Sequence, residues 1–183
     1  SRSPQFDFIH IDSNMIPSLA TAGYLEPRAE SIKKAGLHLD AVADYGNFMK
    51  FQGQTYGVPT DGNVHIQYTR KDLIDNPDSK KRFADKFGVE LKIPQTWEEN
   101  LRLQEFLMDP SKDLYGSGNL RNRANGPTWW YMIFYSAGGF PFDDDMKPTI
   151  DAPAGQYAVD LYLQDKKVNH PEAANWGTPQ MIP

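Results

Sequence analysis

Between Pro127 and Ala137 the chain runs Pro-Thr-Trp-Trp-Tyr-Met-Ile-Phe-Tyr-Ser-Ala without a charge, and Gly138-Gly139 follows. A segment this apolar on nearly every side reads as a buried helix stopped by the glycine pair, so the rest of the chain must enclose it. The composition can supply that enclosure: of 183 residues, 39% are hydrophobic and 13% aromatic, enough to bury a core. Tyr131, Tyr135 and Ser136 interrupt the run, and no stretch approaches the roughly 20 apolar residues that a membrane-crossing helix needs. The net charge of −5 argues against a nucleic-acid partner, whose usual footprint is a basic face. Cysteine is absent, which removes disulfides, thiolate metal sites and thiol nucleophiles together.

Helix signals surround the apolar run. Asp12-Ser13-Asn14 offers capping side chains before Met15, Ile16, Leu19 and Ala20, with Gly23 as a stop. Asn76-Pro77 places a cap before a first-turn proline, and the predicted helix carries Phe83 and Phe87 on one face and ends at Gly88. Thr96-Trp97-Glu98-Glu99 matches a capping box, in which two side chains satisfy each other's free backbone donors. Leu101, Phe106 and Leu107 continue that helix, and Asp151-Ala152-Pro153 opens a last one with Ala158, Leu161 and Tyr162 on one face. Strand signals are fewer. Phe6 to Ile11 reads as a buried strand, and Tyr56–Pro59 and Val64–Thr69 read as extended segments joined by Thr60 to Asn63. A turn is expected around Gln52-Gly53-Gln54, and Gly116 to Gly126 is a long polar loop. This alternation of strands and helices argues an α/β or α+β fold.

Most motif readings fail on spacing. Gly116-Ser117-Gly118 lacks the third glycine of a dinucleotide fingerprint, since Arg121 stands there, and it lacks the Gly-Lys-Ser/Thr of a Walker loop. Asp143-Asp144-Asp145 has Pro148 and Ala154 where an EF-hand loop needs glycine and an acid, so it reads as a solvated loop tip. His10, His38, His65 and His170 are too scattered for a zinc site, and no cofactor or metal is implied. No G-x-S-x-G elbow is present. The aromatics carry more. Trp129 and Trp130 lie about 100° apart on a helix, so one packs inward while the other is free to face a cleft. Beside them stand Asn119, Arg121, Asn122, Arg123 and Asn125, a donor set suited to a sugar or polyol whose C–H face stacks on an indole. The alternative is that both tryptophans are core.

Read in order, the segments resemble the family 1 extracellular solute-binding proteins of ABC importers, the group that includes the maltose-binding proteins. The landmarks are Phe6–Asp12 with Leu19–Pro27, Gly53-Gln54-Thr55-Tyr56-Gly57-Val58-Pro59, Tyr68–Leu73, Pro94–Glu99, and Gly138-Gly139 with Phe142-Asp143, followed by Pro148–Asp151. The resemblance runs from about Phe6 to Trp176. It implies a periplasmic-binding-protein-like (type II) two-lobe α/β fold, with residues 1–60 in the N-terminal lobe, 61–63 at the hinge and 64–183 in the C-terminal lobe. Family members are about twice as long, so the chain reads as a trimmed central piece whose partners include the missing segments of the same polypeptide.

The resemblance also implies a site between lobes. Its residues here are Asp12, Ser13 and Asn14 after the first strand, Asp61 and Asn63 at the hinge, Asn119, Arg121, Thr128, Trp129 and Trp130 around the apolar helix, and Trp176. The implied protein is a non-enzymatic receptor, monomeric at full length, periplasmic or otherwise extracytoplasmic, free or tethered as a lipoprotein. It delivers a sugar, oligosaccharide or polyol to ABC permease subunits in the membrane. Asp12 and Asp61 would instead suit a cationic solute, and the arginines of the 116–126 loop an acidic or phosphorylated sugar. A carbohydrate hydrolase and a ligand-free scaffold are the other readings of the same composition.

Overall fold

The computed structural model describes residues 7–39, 45–62 and 64–181, apart from the side chains of Tyr45, Thr178 and Met181. The chain divides into two compact units, residues 1–67 and residues 68–183.

The first unit holds short elements. A 3-10 turn over Ser13–Met15 leads into α1 (Ile16–Thr21), and Gly23 follows it with φ +72°, a left-handed conformation that suits glycine. Then come α2 (Ala29–Lys34), α3 (Tyr45–Phe48) and the antiparallel pair β1 (Lys50–Phe51) and β2 (Gln54–Thr55). The expected turn closes this hairpin: Gln52 and Gly53 both have positive φ, as a two-residue type I′ connection requires.

The strand expected over residues 6–11 does not form among the described residues, and Phe8 is 89% exposed rather than buried. Tyr56–Pro59 and the described part of Val64–Thr69 likewise carry no sheet ladder, and Tyr68 is 91% exposed. A strand exists only against a neighbour that takes its N–H and C=O groups. The β1–β2 hairpin is the one sheet among the described residues, and these segments are outside it.

The second unit is helical. After the short α4 (Lys71–Ile74), α5 spans Pro77–Phe87 as predicted: Asn76 Oδ1 accepts the Ser79 N–H at 3.0 Å, and Gly88 ends the helix at φ +69°. In α6 (Trp97–Leu107) half of the capping box forms as expected. Thr96 Oγ1 accepts the Glu99 N–H at 3.1 Å, while the Glu99 carboxylate takes the Gln95 N–H at 2.7 Å, one residue earlier than a capping box requires. The apolar run is α7 (Gly126–Ser136), followed by α8 (Pro153–Val168) and α9 (Thr178–Met181). Among the described residues no helix is long and apolar enough to cross a membrane.

Two apolar clusters hold this unit, and α6 serves both. Its Leu101 joins Ile133, Phe134, Ala158, Leu161 and Val168, and its Leu103 joins Ile74, Phe83 and Leu91. Phe134 is fully buried, and burying such a ring stabilises by about 2–3 kcal/mol. Residues four apart on α7 stack in pairs: Trp130 on Phe134 at 4.7 Å and Tyr131 on Tyr135 at 5.5 Å between ring centroids. The helix is not enclosed on every side, however, since Thr128, Tyr135 and Ser136 are exposed. Across the packing, Tyr157 donates to Glu98 Oε1 at 2.6 Å. Burial and that carboxylate push the Tyr157 hydroxyl up to about 12, while the same bond holds Glu98 below the usual carboxylate range.

The 140–150 segment folds back on itself. Phe142 bridges Pro148, and Asp143 Oδ1 accepts the N–H groups of Asp145 and Lys147 at 3.0 and 2.9 Å, so this acid caps its own turn, as a loop tip should. The turn delivers Ile150 onto the start of α8, where a Cβ added to Gly155 would lie 1.6 Å from the Ile150 carbonyl oxygen. Gly138, by contrast, has φ +77° and open space around it. Gly155→Ala is therefore expected to destabilise the chain by about 2–3 kcal/mol through overpacking, and Gly138→Ala by about 1 kcal/mol through backbone conformation alone. Urea unfolding of the two variants measures the order.

Candidate functional site

The polar centre of the second unit lies where the C-terminal turns of α8 meet the 116–126 loop. Asp165 continues the buried stripe of Ala158, Leu161 and Val168, so a carboxylate stands where the helix otherwise presents apolar groups. Loop side chains and the next turn supply its donors. Ser117 Oγ and Asn119 Nδ2 donate to Asp165 Oδ1 at 2.9 and 3.0 Å. Arg121 Nη2 donates to Oδ2 at 3.1 Å, and Asn169 Nδ2 approaches the same oxygen at 3.4 Å. The Arg121 and Asp165 side chains are only 11% and 13% exposed. Arg121 also donates to the Tyr162 carbonyl and lies over the Tyr162 ring at 3.9 Å.

Backbone bonds reinforce the clip. Gly116 and Ser117 N–H both donate to the Val168 carbonyl, the His170 N–H to Ser117 O at 3.1 Å, and the Arg121 N–H to Ala173 O at 3.0 Å. Asn169, buried, donates to Asn119 O and accepts the His170 N–H, both at 2.8 Å. Asn122 locks the far end of the loop: its Oδ1 accepts the N–H groups of Ala124 and Asn125, and its Nδ2 donates to the Trp176 carbonyl. These bonds carry a row of rings, with Tyr115 edge-on to His170 at 4.5 Å and His170 stacked on Trp176 at 4.2 Å. Trp176 is half-buried and passes the edge of Gly118, where an added Cβ would sit 3.6 Å from the indole.

The sequence-predicted residues distribute unevenly over this arrangement. Asn119, Arg121 and Trp176 belong to it, the first two as partners of Asp165 or its neighbours. Thr128 is exposed on the first turn of α7. Trp130 packs against the core cluster on Phe134, the inward member of the pair, and its Nε1 is buried without a hydrogen-bond partner. Trp129 faces a small cavity of about 30 Å³ shared with Trp97, Asn119, Leu161 and Asp165. That space admits about one water, far below the several hundred Å³ of a ligand pocket, so this cavity is no solute site by itself. In the first unit, Asp12 and Asn14 are exposed and Ser13 is half-buried, while Asp61 is exposed. A hydrogen bond of 3.0 Å between His10 Nε2 and Thr60 Oγ1 brings the segments before Asp12 and Asp61 together. Asn63 lies outside the described residues. Among the described residues no group of three or more His, Asp or Glu side chains is placed to hold a metal ion.

Asp165, Asn169 and Tyr162 were not foreseen as parts of this site. The signal was present: Asp165 and Asn169 stand four residues apart, and Asp165 falls on the stripe marked by Ala158 and Leu161, where a polar residue needs a buried partner.

The structure is similar to an ABC transporter solute-binding protein from Thermotoga lettingae TMO bound with α-D-tagatose, at TM-score 0.64 and 23% identity over 90% of this chain. It is similar also to one from Agrobacterium radiobacter K84 in complex with ribitol, at 0.63 and 19% over 93%, and to one from Agrobacterium vitis S4 with bound D-mannitol, at 0.59 and 20% over 97%. The fold is therefore that of the periplasmic-binding-protein-like solute-binding proteins. Residues 1–183 match the family of bacterial extracellular solute-binding proteins, and the chain belongs to that family. No curated protein matches it. The chain spans 41% of the length of each of these solved structures.

Asn169→Ala removes a buried amide that joins loop to helix and leaves Asn119 O and the His170 N–H without it. The expected loss of stability is about 1–3 kcal/mol, read as a lower urea midpoint with an unchanged slope.

Proposed function

We propose that this chain is part of an extracytoplasmic receptor of an ABC importer, which binds a sugar or polyol and presents it to the permease. The observation that carries the reading is the family match over the whole chain, with similar solved structures holding tagatose, ribitol and mannitol. Those three ligands share runs of hydroxyl groups and a C–H backbone. The half-buried indole of Trp176 suits that chemistry, since an aromatic face takes the C–H side of such a solute.

In this reading residues 1–60 belong to one lobe and 64–183 to the other, with 61–63 as the crossing, and closure about that hinge traps the solute. Asp12, Ser13, Asn14, Asp61 and Asn63 approach the solute from the first lobe. Thr128, Trp129 and Trp176 approach it from the second, and Asn119 and Arg121 shape the loop that presents them. The receptor works as a monomer, free or tethered as a lipoprotein, and takes no cofactor. It returns its ligand unaltered. The membership of a binding-protein family argues against the hydrolase reading.

Thermal unfolding of the full-length receptor with D-tagatose, ribitol and D-mannitol tests the proposal. A ligand at about 100 times its Kd raises the stability by roughly 2.7 kcal/mol if it binds only the folded state. The expected result is a selective rise in Tm for at least one of them, abolished by Trp176→Ala. A cooperative melt unmoved by all three at millimolar concentration would contradict the reading.

A further inference from the structure

We propose that Asp165 is a positioning residue that sets the charge selectivity of the solute site. By holding the Arg121 guanidinium inward, it keeps the 117–122 loop from offering that cation to a solute, and so favours neutral polyols over the corresponding acids. The inference rests on the receptor reading above and adds to it a reason for the charge class of the ligand.

The hydrogen-bond accounting supports it. An ionised carboxylate has about four acceptor sites, and Asp165 fills them with Ser117 Oγ, Asn119 Nδ2, Arg121 Nη2 and Asn169 Nδ2. Three of these donors come from the loop, so the carboxylate gathers the loop side chains inward together. Arg121 is engaged on several sides at once: on Asp165, on the Tyr162 carbonyl, and face-on to the Tyr162 ring. Its Nε is buried without a partner. A guanidinium tolerates such a place only while a carboxylate compensates its charge, because an uncompensated buried charge is strongly destabilising.

Remove the charge of Asp165 and the guanidinium must turn to water. The backbone of Arg121 stays fixed by its N–H bond to Ala173 O, so the freed side chain swings out from the loop that also carries Asn122 and Gly118 beside Trp176. A planar guanidinium there would pair with a carboxylate ligand in bidentate fashion. Arg123, two residues on, is already exposed, and water and salt screen a charge in that position within about 8 Å. It serves as an internal standard.

Two readouts on the full chain decide the matter. Phenylglyoxal labelling followed by peptide mass spectrometry compares Arg121 with Arg123. In the wild type Arg121 is expected to react at least about tenfold more slowly, and in Asp165→Asn within about twofold. Equal rates in the wild type would overturn the inward pairing.

Calorimetric titration with D-mannitol and D-gluconate then reads the selectivity. Asp165→Asn is expected to move the affinity ratio toward gluconate by about tenfold, and the neutral pair Arg121→Gln/Asp165→Asn to restore the wild-type ratio. A variant that weakens both solutes equally shows a role in folding alone and overturns the proposal. Should Asp165→Asn fail to fold, Arg121→Gln decides: it leaves Asp165 uncompensated and must shift the ratio further toward mannitol, and an unchanged ratio overturns the proposal. If the wild type binds neither solute, the receptor reading falls and the selectivity with it, whereas the labelling rates still report whether Asp165 holds Arg121 inward.

Discussion

A carboxylate buried at the end of a helix draws everything near it into order, because every lone pair left without a donor is destabilising. Asp165 is that group in this chain. Its donors reach it from Ser117, Asn119, Arg121 and Asn169, and their convergence gives an eleven-residue polar, glycine-rich loop a definite path. The backbone bonds from Gly116, Ser117, Arg121 and His170 follow from that path. So does the stack of Tyr115, His170 and Trp176, which has no strand or helix of its own to support it.

The ion pair has a second consequence. A loop containing two arginines looks basic in sequence, and it invites an acidic ligand. In the structure one of the two guanidinium groups, that of Arg121, is compensated and turned inward, and only Arg123 stays exposed. Charge read from a sequence overstates the charge a ligand meets, because pairing is decided by residues distant in the chain; Arg121 and Asp165 are 44 positions apart.

The helical part of the fold was legible because its signals are local. Asn76-Pro77 and Gly88 bound α5 as they stand, and Gly138 stops α7. The Thr96 cap was found, but the reach of Glu99 to Gln95 rather than to Thr96 depends on side-chain placement no motif encodes. Strands were less legible. Phe6–Ile11 and Val64–Thr69 have the branched and aromatic composition of strands, yet their described residues lie mostly exposed and without a ladder, since pairing is a property of two segments and not of one. Among the expected site residues, Asn119, Arg121 and Trp176 meet where the loop joins α8, while Trp130 is partly buried against the core cluster. Asp165 was missed because a single acid in a helix carries no local sign of burial; only its position on the apolar stripe gives it away.

The central claim is that α8 and the 116–126 loop form one hydrogen-bonded unit organised by Asp165, and native-state amide hydrogen exchange tests it most directly. The account predicts that the N–H groups of Gly116, Ser117, Arg121 and His170 exchange as slowly as those of the α8 interior, close to the rate set by global unfolding. Exchange of these four amides at the rate of an open loop, while α8 stays protected, would contradict it.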